Sequence, residues 1–188
     1  MTKLYVDLLQ AFDEMGEQIN NDELRSTVQE MLRKISCCFT GHRPEKCKRT
    51  ENEIKADLET AIRKAIADGY QVFINGAQRG VDLWAAEVVM KLKDEGTEIE
   101  LVTAIPFEGF EKRWETDWIN RLGTVIECSD DVHTVSTSRG ADGFSLRDQW
   151  MVDHSSRVIA VYNGTPGGTK TTIDYAKQQR REVQILEG

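Results

Sequence analysis

Three times in this chain a short apolar run gives way to a glycine-bearing loop and then to a segment of helical periodicity, and few folds accommodate that pattern. The runs are residues 35–39, 71–74 and 158–162. Their loops are Thr40-Gly41-His42-Arg43-Pro44, Asn75-Gly76-Ala77-Gln78-Arg79-Gly80 and Asn163-Gly164-Thr165-Pro166-Gly167-Gly168-Thr169. Strands alternating with helices predict an α/β fold, a doubly wound, mainly parallel sheet with helices on both faces. Ligands of such sheets bind beyond the carboxyl ends of the strands, so all three loops belong at one edge. Glycine lets a backbone approach a ligand closely, and a helix amino terminus offers free N–H groups to an anion. The pattern therefore points to a phosphate-bearing small molecule, a nucleotide or a nucleotide derivative.

The rest of the chain extends the alternation. Thr50-Glu51-Asn52-Glu53 is a capping box that opens a helix with Ile54, Leu58, Ile62 and Ile66 on one face. A second helix covers 81–95, with Trp84 in the core, and a third strand covers 98–105. The pattern then predicts a helix carrying Phe110, Trp114 and Trp118, a fourth strand at 124–128, and a mobile polar loop over 129–143. A helix at 145–154, a strand at 158–162, a helix at 169–181 and an edge strand at 183–186 complete the domain, 35–188. Residues 1–34 read as a helical extension, a hairpin whose first stripe is Leu4, Leu8, Phe12, Met15 and Ile19 and whose second is Leu24, Val28, Met31 and Leu32, with Asp22 as its cap. That hairpin either packs on the main domain or serves a homo-oligomer or partner.

Composition removes several function classes. A formal charge of −8 works against general nucleic-acid binding, which neutralises many phosphates with basic side chains. No run has the apolar length of a membrane span, and the amino terminus lacks a basic-then-apolar signal. The expectation is a cytoplasmic protein with no membrane partner. Cys37 and Cys38 fall inside a strand and should point to opposite faces as core residues. The spacing of Cys37, Cys38, His42 and Cys47 fits no standard zinc pattern, so neither metal nor cofactor is expected.

Within the loops the candidate ligand contacts are Thr40, Gly41, His42 and Arg43 in the first, and Gly76, Ala77, Gln78, Arg79 and Gly80 in the second. The third contributes Gly167, Gly168, Thr169 and Lys170. Arg79 offers a charge-assisted contact or is simply a solvated arginine on a tight turn. Asp82 is read as the cap of the following helix. His42 can donate to a phosphate, transfer a proton or serve structure alone. Glycines, helix amides, hydroxyls and an ammonium make the third loop an anion nest. Trp114, Trp118 and Trp150 stack on a base or fill the core.

Taken together, Cys38-Phe39-Thr40-Gly41-His42-Arg43-Pro44, the stretch from Gly76 to Glu87, and the segment from Arg147 to Thr169 resemble the YpsA-like family of the SLOG superfamily, which includes LOG phosphoribohydrolases and DprA/Smf proteins. The likeness runs from about residue 35 to the carboxyl end. It implies a Rossmann-like fold with a nucleotide-binding crevice. LOG enzymes cleave the bond between base and ribose 5′-phosphate with an arginine on the preceding helix and a glutamate after the glycine loop. Arg147 stands where that arginine would be and joins the ligand-contact candidates. For the glutamate, one register offers Asp174 and another offers Thr171 and Thr172, so neither restores it. The resemblance thus implies nucleotide binding in a sensor or regulatory role first. A phosphoribohydrolase acting through Arg147 and Asp174 comes second, and DprA-like nucleic-acid binding third.

Overall fold

A computed structural model describes residues 22–137 and 139–188. Its described residues form a six-stranded sheet, all parallel, in the order β4-β3-β2-β1-β5-β6. The strands are β1 (Ser36–Gly41), β2 (Val72–Asn75), β3 (Glu100–Ile105), β4 (Asp131–Thr134), β5 (Arg157–Tyr162) and β6 (Glu182–Glu187). The helices are α1 (Asp22–Ile35), α2 (Glu51–Ala67), α3 (Val81–Asp94), α4 (Thr116–Cys128), α5 (Ala141–Asp153) and α6 (Gly168–Gln178). From β1 the chain winds outward to β4, then crosses back to lay β5 on the other side of β1. The loops after β1 and β5 therefore leave in opposite directions, and the crevice between them is the topological switch point of the sheet.

Period-two alternation splits the core into two. Cys37, Phe39, Phe73 and Leu101 face α2, α3 and α4, whereas Cys38, Ile74, Val102 and Val158 face α1, α5 and α6. The adjacent cysteines thus point to opposite faces, as their strand position predicts. Each fully buried large side chain, such as Phe39, Leu58 or Ile159, contributes about 1.5–3 kcal/mol by leaving water. The capping box is present: Thr50 N–H donates to Glu53 Oε2 at 2.9 Å, and Glu53 N–H donates to Thr50 Oγ1 at 3.4 Å. At the amino ends of the strands Arg157 is buried, with Nη1 2.8 Å from Asp68 Oδ2, Nη2 2.9 Å from Glu182 Oε2, and Cζ 4.5 Å above the Tyr70 ring.

Several sequence expectations change. Residues 124–128 are not a strand but the last turns of α4, where Leu122 and Val125 are buried and Ile126 packs on the core beside Trp118. That spacing is helical, and the β-branched run only imitates a strand. The fourth strand is Asp131–Thr134, inside the stretch expected to be a loop. As an edge strand with exposed residues it has no buried face to alternate. Phe110 and Trp114 precede α4 in a series of turns and brace one another edge to face, their centroids 5.3 Å apart. Asp82 does not cap α3. Gly80 does, at φ +93°, a left-handed conformation that suits glycine. The first helix read in the amino-terminal hairpin lies outside the described residues, and Asp22, read as a cap, is the first residue of α1. In α1, Leu32 is buried on the second face of the sheet with Val28 and Ile35 beside it.

Candidate functional site

The first two loops are strapped together before any ligand is considered. Val81 N–H donates to the carbonyl of His42 at 3.4 Å, and a Cβ at Gly80 would stand 2.8 Å from that same oxygen. Asn75 shapes the second loop from below. Its Nδ2 donates to Thr103 Oγ1 at 2.7 Å and to the Val102 carbonyl at 3.2 Å, while its Oδ1 accepts from Ala77 N–H at 2.9 Å. Ala77 is held at φ +58°. Gly76 leaves room for a side chain from another element: a Cβ there would come within 2.0 Å of Arg147 Nη1.

Arg147 reaches the site from α5 and is 4% exposed. Its Nη1 donates to Asp82 Oδ2 at 3.4 Å. Its Nε lies 2.8 Å from Asp148 Oδ1, within ion-pair distance but not aligned for a hydrogen bond. Asp82 also accepts from Gln78 N–H at 3.3 Å. Burial pushes its carboxyl up to about 6, against the pull of the Arg147 guanidinium. Asp148 is held in turn by Thr172, whose hydroxyl donates to Oδ2 at 3.2 Å.

His42, 4% exposed, stacks on Tyr162 with centroids 5.7 Å apart. Its Nε2 is buried and has no hydrogen-bond partner among the described residues. Burial first, and then the charge of Lys46, lowers its proton affinity. Opposite, Gly167 caps α6, so the first amides of that helix open toward the crevice.

These parts enclose a cavity of about 320 Å³ at the switch point. Of the residues singled out in the sequence, Thr40, Gly41, His42, Arg43, Gln78, Arg147, Gly167, Gly168 and Thr169 line it. Gly76, Ala77 and Gly80 instead shape the loop behind it. Arg79 turns outward into a bidentate pair with Glu45, at 2.9 and 3.0 Å. Lys170 pairs with Asp174 on the exposed face of α6, and neither lines the cavity. The carboxylates that do are Asp82, Asp148 and Glu45. Sequence reading missed Asp148 and Lys46 and gave Asp82 the wrong task. Asp148 directly follows Arg147, but nothing in a helical Arg-Asp pair announces that it faces inward. Among the described residues no group of three His, Cys, Asp or Glu side chains is arranged to hold a metal ion.

A family model described as "YspA SLOG family" matches residues 37–186. The chain belongs to this YpsA family of SLOG proteins. Among its relatives are a UPF0398 protein of Halalkalibacterium halodurans, 30% identical over 69% of this chain and 70% of the relative, and a UPF0398 protein of Bacillus cereus strain G9842, 28% identical over 74% and 81%. The fold is similar to that of DNA processing protein A (DprA) from Streptococcus pneumoniae, with a TM-score of 0.60 at 14% identity over 85% of this chain. The aligned region is 52% of the pneumococcal chain, so this YpsA-family protein spans about half of it. DprA from Helicobacter pylori, solved for its single-stranded DNA binding mode, gives 0.59 at 16% identity, covering 86% and 69% of the two chains. At such identities the solved structures speak for the fold. They agree with the Rossmann-like, doubly wound sheet expected from the loops.

Proposed function

We propose that the switch-point cavity binds a nucleotide or nucleotide-derived phosphate ligand, in a sensor or regulatory role. The observation that supports this reading is the meeting of His42 and Arg147. Both are almost completely buried in one small space, one with an unpartnered ring nitrogen and the other with loosely aligned carboxylates. A buried polar atom without a partner costs about 1–3 kcal/mol, and an oxyanion that pairs with it recovers that cost. The amides at the start of α6 and the nearby Lys46 favour the same charge. About 320 Å³ suits a mononucleotide rather than a strand. The formal charge of −8 likewise weighs against a DNA-binding role like that named for the Helicobacter protein.

Isothermal titration with the common ribonucleoside 5′-monophosphates tests the proposal, with nucleosides and inorganic phosphate as controls. At least one monophosphate should bind, its nucleoside at least about tenfold more weakly, and Arg147→Gln should lose the difference. No binding at millimolar concentration overturns the reading.

Hydrolysis of the N-glycosidic bond is the second reading, and Asp82 is the observation that favours it. A carboxyl that titrates near 6 beside a buried arginine suits proton transfer near neutral pH. Release of free base from a bound monophosphate, abolished by Asp82→Asn, supports this reading. Stable binding without release supports the first.

A further inference from the structure

A second hollow, of about 410 Å³, adjoins the cavity and has walls of a different kind. Arg43, Arg79 and Arg113 line it together with the carboxylate of Glu115 and the rings of Phe110, Trp114 and Phe144. Arg43, Gln78 and Phe144 line both spaces, so the two are immediate neighbours. The rings brace one another: Phe110 meets Trp114 at 88° and Phe144 at 79°. Glu45, which lines the inner cavity, pairs with Arg79. Among the described residues, the side chains of Arg43 and Arg113 have neither an ion-paired nor a hydrogen-bonded partner. In a chain with 32 acidic and 24 basic residues, partners for them are abundant. Three guanidiniums, two of them unpaired, outnumber the one lining carboxylate, Glu115, and that positive excess favours an incoming anion. Aromatic faces beside arginines are also the surroundings in which bases stack.

We propose that this outer hollow is a subsite for the far end of the ligand, a base against the aromatic wall and a second phosphate among Arg43, Arg79 and Arg113. The first phosphate then lies in the inner cavity. The inference rests on the nucleotide reading of that cavity and specifies its ligand class: a base flanked by two separated phosphates. A nucleoside 3′,5′-bisphosphate and a 5′-phosphorylated dinucleotide share this chemistry.

The test is calorimetric titration of the full chain with adenosine 5′-monophosphate, adenosine 3′,5′-bisphosphate and the 5′-phosphorylated deoxyadenylate dinucleotide. The wild-type protein should bind one of the doubly phosphorylated ligands about tenfold or more tightly than the monophosphate, and the better of the two names the source. Arg113 is exposed, so Arg113→Gln and the charge reversal Arg113→Glu should keep the wild-type melting temperature. Both should draw the affinity ratio toward one. A wild-type ratio near one, with the monophosphate still binding, overturns the outer subsite and leaves the inner reading standing. An unchanged ratio in both folded variants does the same. Failure of every nucleotide to bind overturns both.

Discussion

Two buried arginines stand at opposite ends of the same sheet, and their surroundings differ. Arg157, at the amino ends, spans Asp68 and Glu182, whose side chains are 33% and 57% exposed, and rests on Tyr70. Both partners reach water, and the guanidinium is held for structure. Arg147, at the carboxyl ends, faces Asp82, itself 8% exposed, and the neighbouring Asp148. Burial raises the Asp82 carboxyl to about 6, so this counter-charge to Arg147 is lost as the pH falls through that value. A buried cation whose counter-charge can titrate is able to exchange that charge for an incoming anion. One with two solvated counter-charges is a cross-link.

The sharpest test of this contrast exchanges each arginine for glutamine. Arg147→Gln should weaken nucleotide binding by roughly 2–3 kcal/mol, on the order of a hundredfold by titration, with a smaller change in melting temperature. Arg157→Gln should lower stability by about 2 kcal/mol in denaturant and leave affinity unchanged. If either variant shows the other's behaviour, the contrast fails.

Asp82 supplies the next test. Its folded proton affinity is raised from 3.8 to about 6, so the folded state holds this proton more tightly than the unfolded chain does. That stabilising contribution is present below pH 4 and is lost as pH rises through 6. Asp82→Asn should flatten the stability profile across that window by on the order of 3 kcal/mol, measured as denaturant midpoints against pH. His42 works the other way. Its lowered proton affinity means that stability falls as pH drops below about 6.5, and a bound phosphate should oppose this.

A subtler break comes from behind the cavity. Gly76→Ala puts a methyl where the Arg147 guanidinium lies, so it should cost about 1–2 kcal/mol in both stability and nucleotide affinity. The smallest effect belongs to the exposed pair on α6. Asp174→Asn and Lys170→Gln should each change affinity by less than about 0.5 kcal/mol.

Much of the fold was legible because it rests on local signals. Cys37-Cys38-Phe39 is apolar on both faces, as a central parallel strand must be, and the Thr50–Glu53 box marks the start of α2. What escaped reading depends on tertiary context. The β-branched run of Thr124, Val125 and Ile126 is helical because Leu122 and Val125 bury together, and β4 carries no pattern because its side chains meet water. Within the site, the glycine loops after β1 and β5 could be placed beside one another by topology. Asp82 could not be separated from a helix cap, since its meeting with Arg147 joins residues 65 positions apart. That Arg79 pairs with Glu45 and Lys170 with Asp174 was not legible either, because in sequence those partners are ordinary surface charges.

The position of β1 has a consequence for timing. It lies between β2 and β5 and is covered on both faces. Its amides should therefore exchange with solvent only when the whole domain opens, the slowest event available to it. The loop bearing His42 hangs directly from that strand. A ligand gripping this loop is anchored to the last part of the protein to come apart, so its occupancy should register as protection of the entire domain rather than of one loop.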